Sequence, residues 1–326
     1  MELTLADIRA ARERIAPYIR RTPLLASEAL DRLSDATLQF KCENLQESGA
    51  FKIRGATNAV FSLPEERLRA GVVTHSSGNH GAAVARAARL RGVAARIVMP
   101  ENSAASKLAA VRRYGGEVLP CAPTLAAREA LAARVQAETG AAFIHPYDDP
   151  SVIAGQGTVA LELLEDLPQL DAVLLPVGGG GLASGVAVAI KALRPQVRVI
   201  GTEPAAADDA YRGYHAGALQ APDSAASAAR AVTIADGLRG QLSARTFGLI
   251  RAHLDDVVTV SEAGIVQAMH MLWTHLHVIV EPSSAVAYAA LREQRLDLAG
   301  RRVAIILTGG NVDLDRLPWA AATSEG

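Results

Sequence analysis

Residues 171–193, DAVLLPVGGGGLASGVAVAIKAL, decide the fold of this chain, because an apolar run there passes through four glycines into a helical pattern. Residues 171–177 have the apolar character of a buried strand, and the residues from Leu182 to Leu193 follow as a helix. A strand that leads directly into a helix is the repeating unit of a parallel sheet, because parallel strands need crossover connections. The segment therefore predicts an α/β protein.

The same alternation of short apolar runs and helical patterns continues along most of the chain. Such an alternation indicates parallel sheets that are covered by helices on both faces. Residues 71–147 form a self-contained series of strands and helices, so we expect a small domain there, inserted into a large domain built from residues 1–70 and 148–326. The other predicted strands span residues 71–74, 95–99, 117–119, 142–144, 197–201 and 303–307.

Composition places the chain among ordinary globular proteins and argues against several other classes. Half of the 326 residues are hydrophobic, and the formal net charge of -1 argues against a nucleic-acid partner or an acidic membrane surface. We find neither the pattern of a secretion signal nor an apolar run of about 20 residues. The two cysteines, Cys42 and Cys121, are too few for a disulfide framework. We therefore expect a cytoplasmic protein.

The loop from Gly178 to Gly181 is typical of a phosphate-binding site. Glycine leaves the main-chain N–H groups open to one concavity, and the start of the following helix adds partial positive charge. The same loop, with Ala183 after it and Glu203 further along, also fits a dinucleotide-binding pattern. The loop alone therefore leaves a nicotinamide-dependent dehydrogenase as an alternative.

Lys52 lies between an aromatic and a β-branched residue in the stretch SGAFKIRGA, residues 48–56. Apolar surroundings disfavour the charged ammonium group and lower its pKa, which favours a nucleophilic amine that can form a Schiff base with an aldehyde. The plainer interpretation is a lysine whose stem packs on apolar neighbours while its charge reaches water.

The stretch THSSGNHG, residues 74–81, follows a predicted strand and opens a predicted helix. Its hydroxyls, amide and glycines suit the binding of a carboxylate or another anion at a helix N-terminus. Simple capping of the helix by Ser77 or Asn79 would explain only one of these polar residues.

Taken together, the motifs resemble the fold-type II pyridoxal-phosphate (PLP) enzymes, the tryptophan synthase β-like fold with two open parallel-sheet domains and the cofactor in the cleft between them. Within that class the chain is similar to the serine racemase and serine/threonine dehydratase group over nearly its whole length. The resemblance implies PLP, rather than NAD, at the glycine loop. Further motifs that carry it are HPYDDPSVIAGQGT (145–158), TEPAAADDA (202–210), TIADGL (233–238), EPSSAVA (281–287) and LTGGNVDL (307–314).

The resemblance also implies individual roles. Lys52 would hold PLP and move the α-proton of the substrate, and Ser77 would act as acid or base on the opposite face. The implied cofactor contacts are Phe51, Lys52, Asn79, Gly178, Gly179, Gly180, Gly181, Leu182 and Thr308. The implied substrate contacts are Ser76, Ser77, Asn79, His80 and Arg128. The implied ligands of a Mg²⁺, Mn²⁺ or Ca²⁺ ion are Glu203, the carbonyl oxygen of Ala207, and Asp209.

The resemblance implies that the hydroxyl of Thr308 faces the pyridine nitrogen of PLP, and this pairing favours elimination as the reaction type. A hydroxyl cannot keep the pyridine nitrogen protonated as a carboxylate would, so a long-lived carbanion is disfavoured. We therefore expect dehydration and deamination of L-threonine or L-serine to 2-oxobutyrate or pyruvate and ammonia. A serine racemase with dehydratase side activity, a hydroxyaspartate dehydratase, and a non-catalytic binding protein are the alternatives. The resemblance suggests a homodimer.

Overall fold

The computed structural model describes residues 3–76, 78–220, 233–293 and 295–319. In these residues the strands form two sheets, one of six strands and one of four. The strands are β1 (Leu24–Leu25), β2 (Thr37–Cys42), β3 (Val72–His75), β4 (Ala95–Pro100), β5 (Glu117–Cys121), β6 (Ala142–Phe143), β7 (Ala172–Pro176), β8 (Arg198–Pro204), β9 (Asp256–Val260) and β10 (Arg302–Leu307).

The larger sheet takes its strands from both ends of the chain. Its order is β1-β2-β10-β7-β8-β9, in which β1 runs antiparallel to β2 and all other neighbours are parallel. The smaller sheet is entirely parallel, with the order β5-β4-β3-β6. Its strands all fall within residues 71–147, where we expect an inserted domain; the domain boundaries themselves stay a prediction.

Helices cover both faces of the larger sheet. The helices are α1 (Leu5–Ile15), α2 (Glu28–Ser34), α3 (Lys52–Ser62), α4 (Glu65–Leu68), α5 (Asn79–Leu90), α6 (Ala105–Arg113), α7 (Leu125–Thr139), α8 (Pro150–Asp166), α9 (Gly181–Leu193), α10 (Asp209–Ala216), α11 (Ala244–His253), α12 (Glu262–Leu276) and α13 (Pro282–Arg292). Helices α1, α8, α9 and α11 contribute to a core on one face of the sheet, whereas α2, α12 and α13 pack on the other. In the part of the chain that the structure describes, no helix is long and apolar enough to cross a membrane.

Side chains of β7 alternate between the two cores, as a strand buried on both faces requires. Val173 and Leu175 face the first core, and Ala172 and Leu174 face the second. The α/β prediction with parallel sheets is therefore confirmed.

Strand β2, which lies between β1 and β10, is one of three strands in the described residues that the apolar pattern did not predict, together with β1 and β9. It pairs with β10 along its whole length, from Thr37 opposite Arg302 to Cys42 opposite Leu307. Its sequence, TLQFKC, includes a glutamine and a lysine, so it lacks the continuous apolar run that predicts a buried strand. Lys41 is nevertheless fully buried, because its Nζ donates to Glu162 Oε2 at 2.6 Å.

A buried network of charges fastens helix α3 to its neighbours. The Arg54 guanidinium bonds Glu43 Oε2 at 2.8 Å and Glu162 Oε1 at 2.7 Å, and Arg54 and Glu43 are fully buried. With Lys41, the network contains two positive and two negative side chains. Helix α3 begins at Lys52, so Arg54 lies in its first turn, and the network holds the end of the helix that carries the predicted catalytic amine.

Candidate active site

The amine of Lys52 lies at the start of α3, in a part-buried position. Its Nζ donates to the main-chain oxygen of Pro146 at 2.9 Å and lies 5.1 Å from the centre of the Phe51 ring. Burial lowers the pKa of Lys52 to about 8, because the charged ammonium loses its hydration. The amine is therefore much closer to a neutral, nucleophilic state than an ordinary lysine.

The glycine loop lies between β7 and α9. Gly180 has a φ of 83° and caps the helix without a side-chain hydrogen bond. A Cβ at Gly179 would come within 2.4 Å of the Tyr147 ring, so only glycine permits this close packing. The loop therefore presents main-chain N–H groups at the start of a 13-residue helix, which suits a phosphate group.

Two consecutive residues link the amine to the glycine loop. Pro146 accepts the hydrogen bond of Lys52, and Tyr147 packs against Gly179 and Gly181. The sequence stretch HPYDDP, which begins at residue 145, therefore lies between the amine and the predicted phosphate site. An aldehyde that also carries a phosphate is the kind of ligand that this arrangement fits.

Thr308 follows β10 and lies next to the amine-bearing segment. Its carbonyl oxygen accepts from the N–H of Phe51 at 3.0 Å, and its hydroxyl lies 3.4 Å from that of Ser284. Asn79 lies at the start of α5 and bonds Asn311, which itself bonds the carbonyl oxygen of Ser48. The structure thus connects Thr308 and Asn79 to the segment that carries Lys52.

The stretch THSSGNHG, which we predict to bind a carboxylate, contains the N-terminus of helix α5. Gly78, rather than a polar residue, precedes the first turn of α5, and it makes no side-chain cap. Ser76 turns its hydroxyl toward Gly78, accepting from the N–H at 3.1 Å. Ser77, the predicted acid or base on the opposite face, lies outside the described residues.

His80 is buried next to the amine. Its Nε2 lies 3.3 Å from the carbonyl oxygen of Ile144, which can only accept, so Nε2 carries the proton. Burial and the positive charge of Lys52 hold the pKa of His80 well below its usual value. His80 is therefore a neutral side chain whose Nδ1 is an acceptor, and that Nδ1 has no hydrogen-bond partner among the described residues.

Arg128 lies on α7, and its charge acts on His75 and Tyr147. Burial, with the charges of His145 and Arg128, lowers the pKa of His75 to about 4. The charge of Arg128 also opposes the burial that raises the pKa of Tyr147 to about 12. The Nε of Arg128 is buried and, within the described ranges, has no hydrogen-bond partner. The guanidinium is therefore a cation near Tyr147, whose ring contacts the glycine loop.

A buried carboxylate, Glu203, and a part-buried one, Asp209, lie at the predicted metal position. Glu203 in β8 accepts from the N–H of Tyr211 at 2.7 Å, and Asp209 accepts from the N–H of Leu242 at 3.0 Å. Burial, with Asp209 as the next cause, raises the pKa of Glu203, and burial raises that of Asp209 to about 6. Ala207 lies in the turn between them. Oxygen donors of this kind fit a hard cation, although no set of three or more His, Cys, Asp or Glu side chains is gathered in the described part of the chain.

Sequence reasoning assigned no role to four residues that contact this site: Tyr147, Glu281, Ser284 and Asn311. Each falls within a quoted family-like motif, which was the signal that could have found them. Their roles depend on contacts between distant segments, which the motifs do not specify.

The fold and this site define the chain as a member of the "Pyridoxal-phosphate dependent enzyme" family, whose model matches residues 15–309. It is 50% identical to the beta-hydroxyaspartate dehydratase of Paracoccus denitrificans (strain Pd 1222), over 97% of this chain and 98% of that protein. The maize serine racemase structure has a TM-score of 0.93 at 46% identity, covering 99% of this chain and 97% of that one. The threonine deaminase structure from T.th. has a TM-score of 0.87 at 45% identity, covering 95% of this chain and 99% of that one.

The prediction of a fold-type II PLP enzyme is therefore confirmed, and the dehydrogenase and non-catalytic alternatives are set aside. The residues present fit the cofactor. The amine of Lys52 has a lowered pKa, and it is connected through Pro146 and Tyr147 to a glycine loop in which an added Cβ would clash with the Tyr147 ring. The chain belongs with PLP-dependent ammonia-lyases and racemases.

Proposed function

We propose that this enzyme removes water and ammonia from a β-hydroxy amino acid. PLP, when bound, withdraws electrons from the substrate and makes its α-proton more acidic. The observation that carries the proposal is the part-buried amine of Lys52, whose pKa is lowered by burial to about 8, so that it is neutral and able to accept a proton far more often than an ordinary lysine. The reaction breaks the Cα–H and Cβ–OH bonds and forms a double bond. The released enamine takes up water and gives a 2-oxo acid and ammonia.

We propose 3-hydroxyaspartate as the preferred substrate, ahead of L-serine and L-threonine. The supporting observation is Arg128, whose charge acts on the pKa values of His75 and Tyr147 and whose Nε has no hydrogen-bond partner in the described residues. Hydroxyaspartate carries a second carboxylate, which a guanidinium can bind through two hydrogen bonds. Serine and threonine have no second carboxylate. The 50% identity to a beta-hydroxyaspartate dehydratase supports the same choice.

Serine racemization is the second candidate, supported by the 46% identity to the maize racemase. A racemase needs a proton donor on the face opposite Lys52, and Ser77 is the residue we propose for it. The divalent cation at Glu203 and Asp209, a homodimeric assembly and a cytoplasmic location are further proposals.

Product analysis tests the proposal. The purified enzyme with PLP is incubated with 3-hydroxyaspartate, threonine and serine, each as separate stereoisomers, with and without EDTA. We expect 2-oxo acid and ammonia in equal amounts, fastest from a hydroxyaspartate isomer, and no product from Lys52→Ala. Faster formation of D-serine from L-serine than of pyruvate would show that racemization is the main activity.

A further inference from the structure

A chain of hydrogen bonds fixes the direction of the Asn79 side-chain amide. Its Nδ2 donates to Glu281 Oε1 at 2.8 Å, and its Oδ1 accepts from Asn311 Nδ2 at 2.9 Å. Asn311 Nδ2 also donates to the main-chain oxygen of Ser48 at 2.8 Å. The three side chains thus connect the start of α5 with the residue before α13 and with the segment after β10.

The chemistry of the Ser48 end determines the orientation of every amide along this chain. A main-chain carbonyl oxygen can only accept, so Asn311 must turn its NH₂ group toward Ser48 and use its second N–H for Asn79. Asn79 must then present its oxygen to Asn311 and its nitrogen to Glu281. The carboxylate of Glu281 accepts that bond and completes the chain.

Two glycines allow these side chains to lie so close to the main chain. A Cβ at Gly309 would lie 2.5 Å from Glu281 Oε1, and a Cβ at Gly49 would lie 2.4 Å from Asn311 Oδ1. Gly49 also has a φ of 72°, which favours glycine. Glu281 is only 5% exposed, and burying a carboxyl group costs free energy unless hydrogen bonds compensate. Glycine at positions 49 and 309 thus leaves the space that the side chains of Asn311 and Glu281 occupy.

We propose that Glu281 is a positioning residue that leaves one N–H of Asn79 directed to the cofactor; this rests on the proposed function as a PLP enzyme. An amide nitrogen carries two protons, and Glu281 accepts one of them. The other N–H of this amide has no partner among the described residues, so it is the side-chain donor left for a ligand. If the amide turned over, it would offer its oxygen instead, which cannot donate a hydrogen bond to an acceptor atom of PLP. Asn311 also disfavours this reversal of the Asn79 amide, because its N–H donates to Asn79 Oδ1.

A double-mutant cycle on cofactor affinity tests this proposal. Cofactor-free wild type, Glu281→Ala, Asn79→Ala and the double variant are titrated with PLP at pH 8, where Glu281, with a pKa raised by burial to about 7, is mostly ionised. The readouts are the PLP dissociation constant and the position of the visible absorbance band. We expect each single variant to bind PLP about tenfold more weakly.

The double variant separates a positioning role from an independent one. If Glu281 acts through Asn79, the double variant binds PLP no more weakly than Asn79→Ala alone, because the same interaction is lost in both. Losses that multiply in the double variant would show that Glu281 acts by another route, and the proposal would be wrong.

Two conservative variants separate orientation from packing. Glu281→Gln keeps an acceptor oxygen for Asn79, so we expect it to restore most of the PLP affinity and the band position. Asn311→Asp keeps the side-chain shape but replaces its donor with an acceptor, so we expect weaker PLP binding and a shifted band in a protein with an unchanged far-ultraviolet circular dichroism spectrum. Wild-type affinity and band position in folded Asn311→Asp would overturn the proposal. A wild-type protein that takes up no PLP would instead refute the proposed function itself.

Discussion

The amine of Lys52 and the main-chain oxygen of Pro146 are 2.9 Å apart, and they belong to segments attached to different sheets. Lys52 follows β2 of the larger sheet, whereas Pro146 follows β6 of the smaller one. The next residue, Tyr147, contacts the glycine loop. A movement of one sheet relative to the other would therefore change the surroundings of the amine and of the phosphate site together.

The pH dependence of cofactor uptake follows from this position. Only the neutral amine reacts with an aldehyde, and burial lowers the pKa of Lys52 from 10.5 to about 8. We expect the rate of PLP uptake by the cofactor-free protein to rise with pH and to level off above a midpoint near 8. Stopped-flow absorbance measures the rate, with Lys52→Ala as the control. A midpoint near 10.5 would contradict the assigned environment of the amine.

Gly180→Ala should weaken PLP binding by deforming the phosphate loop. Its φ of 83° disfavours alanine, and a Cβ would lie 2.7 Å from Leu242 Cδ2 and 2.8 Å from Thr246 Cβ. The left-handed conformation alone costs a non-glycine residue about 1–2 kcal/mol, and relaxation of the loop should reduce PLP affinity about tenfold or more. Gly248→Ala on α11 is the matched control, because a Cβ there meets nothing within 4 Å. Equal PLP affinities of the two variants would argue against a phosphate site at this loop.

Arg128→Gln should separate dicarboxylate from monocarboxylate substrates. Loss of a hydrogen bond to a charged group typically costs about 1.5–3 kcal/mol, so KM for hydroxyaspartate should rise about tenfold or more, while KM for serine stays nearly unchanged. Arg134→Gln is the control, since Arg134 lies on the same helix but is exposed and pairs with Glu138. Steady-state kinetics with both substrates provide the measurement. A parallel rise of KM for serine would place Arg128 at the shared α-carboxylate.

Divalent cations should stabilise the protein in a pH-dependent way. The folded-state pKa of Asp209, about 6, lies above its ordinary 3.8, so without a cation its contribution to stability is present at low pH and is lost as pH rises through 6. A bound cation offsets this loss. We therefore expect Mg²⁺ or Mn²⁺ to raise Tm above pH 6 and to have little effect below pH 4, where Asp209 is protonated.

Asp209→Asn should abolish this rise in Tm, and EDTA should reverse it in the wild type. Asp297→Asn, at an exposed carboxylate, serves as the control. An undiminished cation effect in Asp209→Asn would exclude Asp209 as a ligand.

Arg54→Met should strongly destabilise the fold. Removing one member of a buried charge network leaves its partners uncompensated, which typically costs about 3–5 kcal/mol. The pair of Arg302 and Asp171 at the surface provides the comparison, and Arg302→Met should shift the urea midpoint only slightly, because water screens that pair. Urea unfolding measures both variants. Similar losses for the two would show that the buried network contributes little to stability.

The parallel-sheet class was predictable from sequence because strands such as β7 and β10 are almost continuous apolar runs, and helical patterns separate most of the strands. Strand β2 was not, since Lys41 is neutralised by Glu162, a residue 121 positions away. The role of Glu281 was not predictable for the same reason, since its hydrogen-bond partner Asn79 is 202 positions away in the sequence. Local patterns report burial and helix boundaries, whereas the partner of a buried polar group depends on how distant segments pack.

The insertion of the four-stranded sheet between β2 and β7 has an evolutionary consequence. All pairings of the six-stranded sheet are made by strands before residue 43 or after residue 171. Exchanging the unit that contains β3 to β6 for a homologous one would therefore leave those pairings intact. Such an exchange would carry Arg128 and the stretch THSSGNHG with it, and would leave Lys52 and the four glycines in place. Arg128, which we propose for substrate selectivity, and Lys52, which we propose as the cofactor-binding amine, thus lie on different units of the chain.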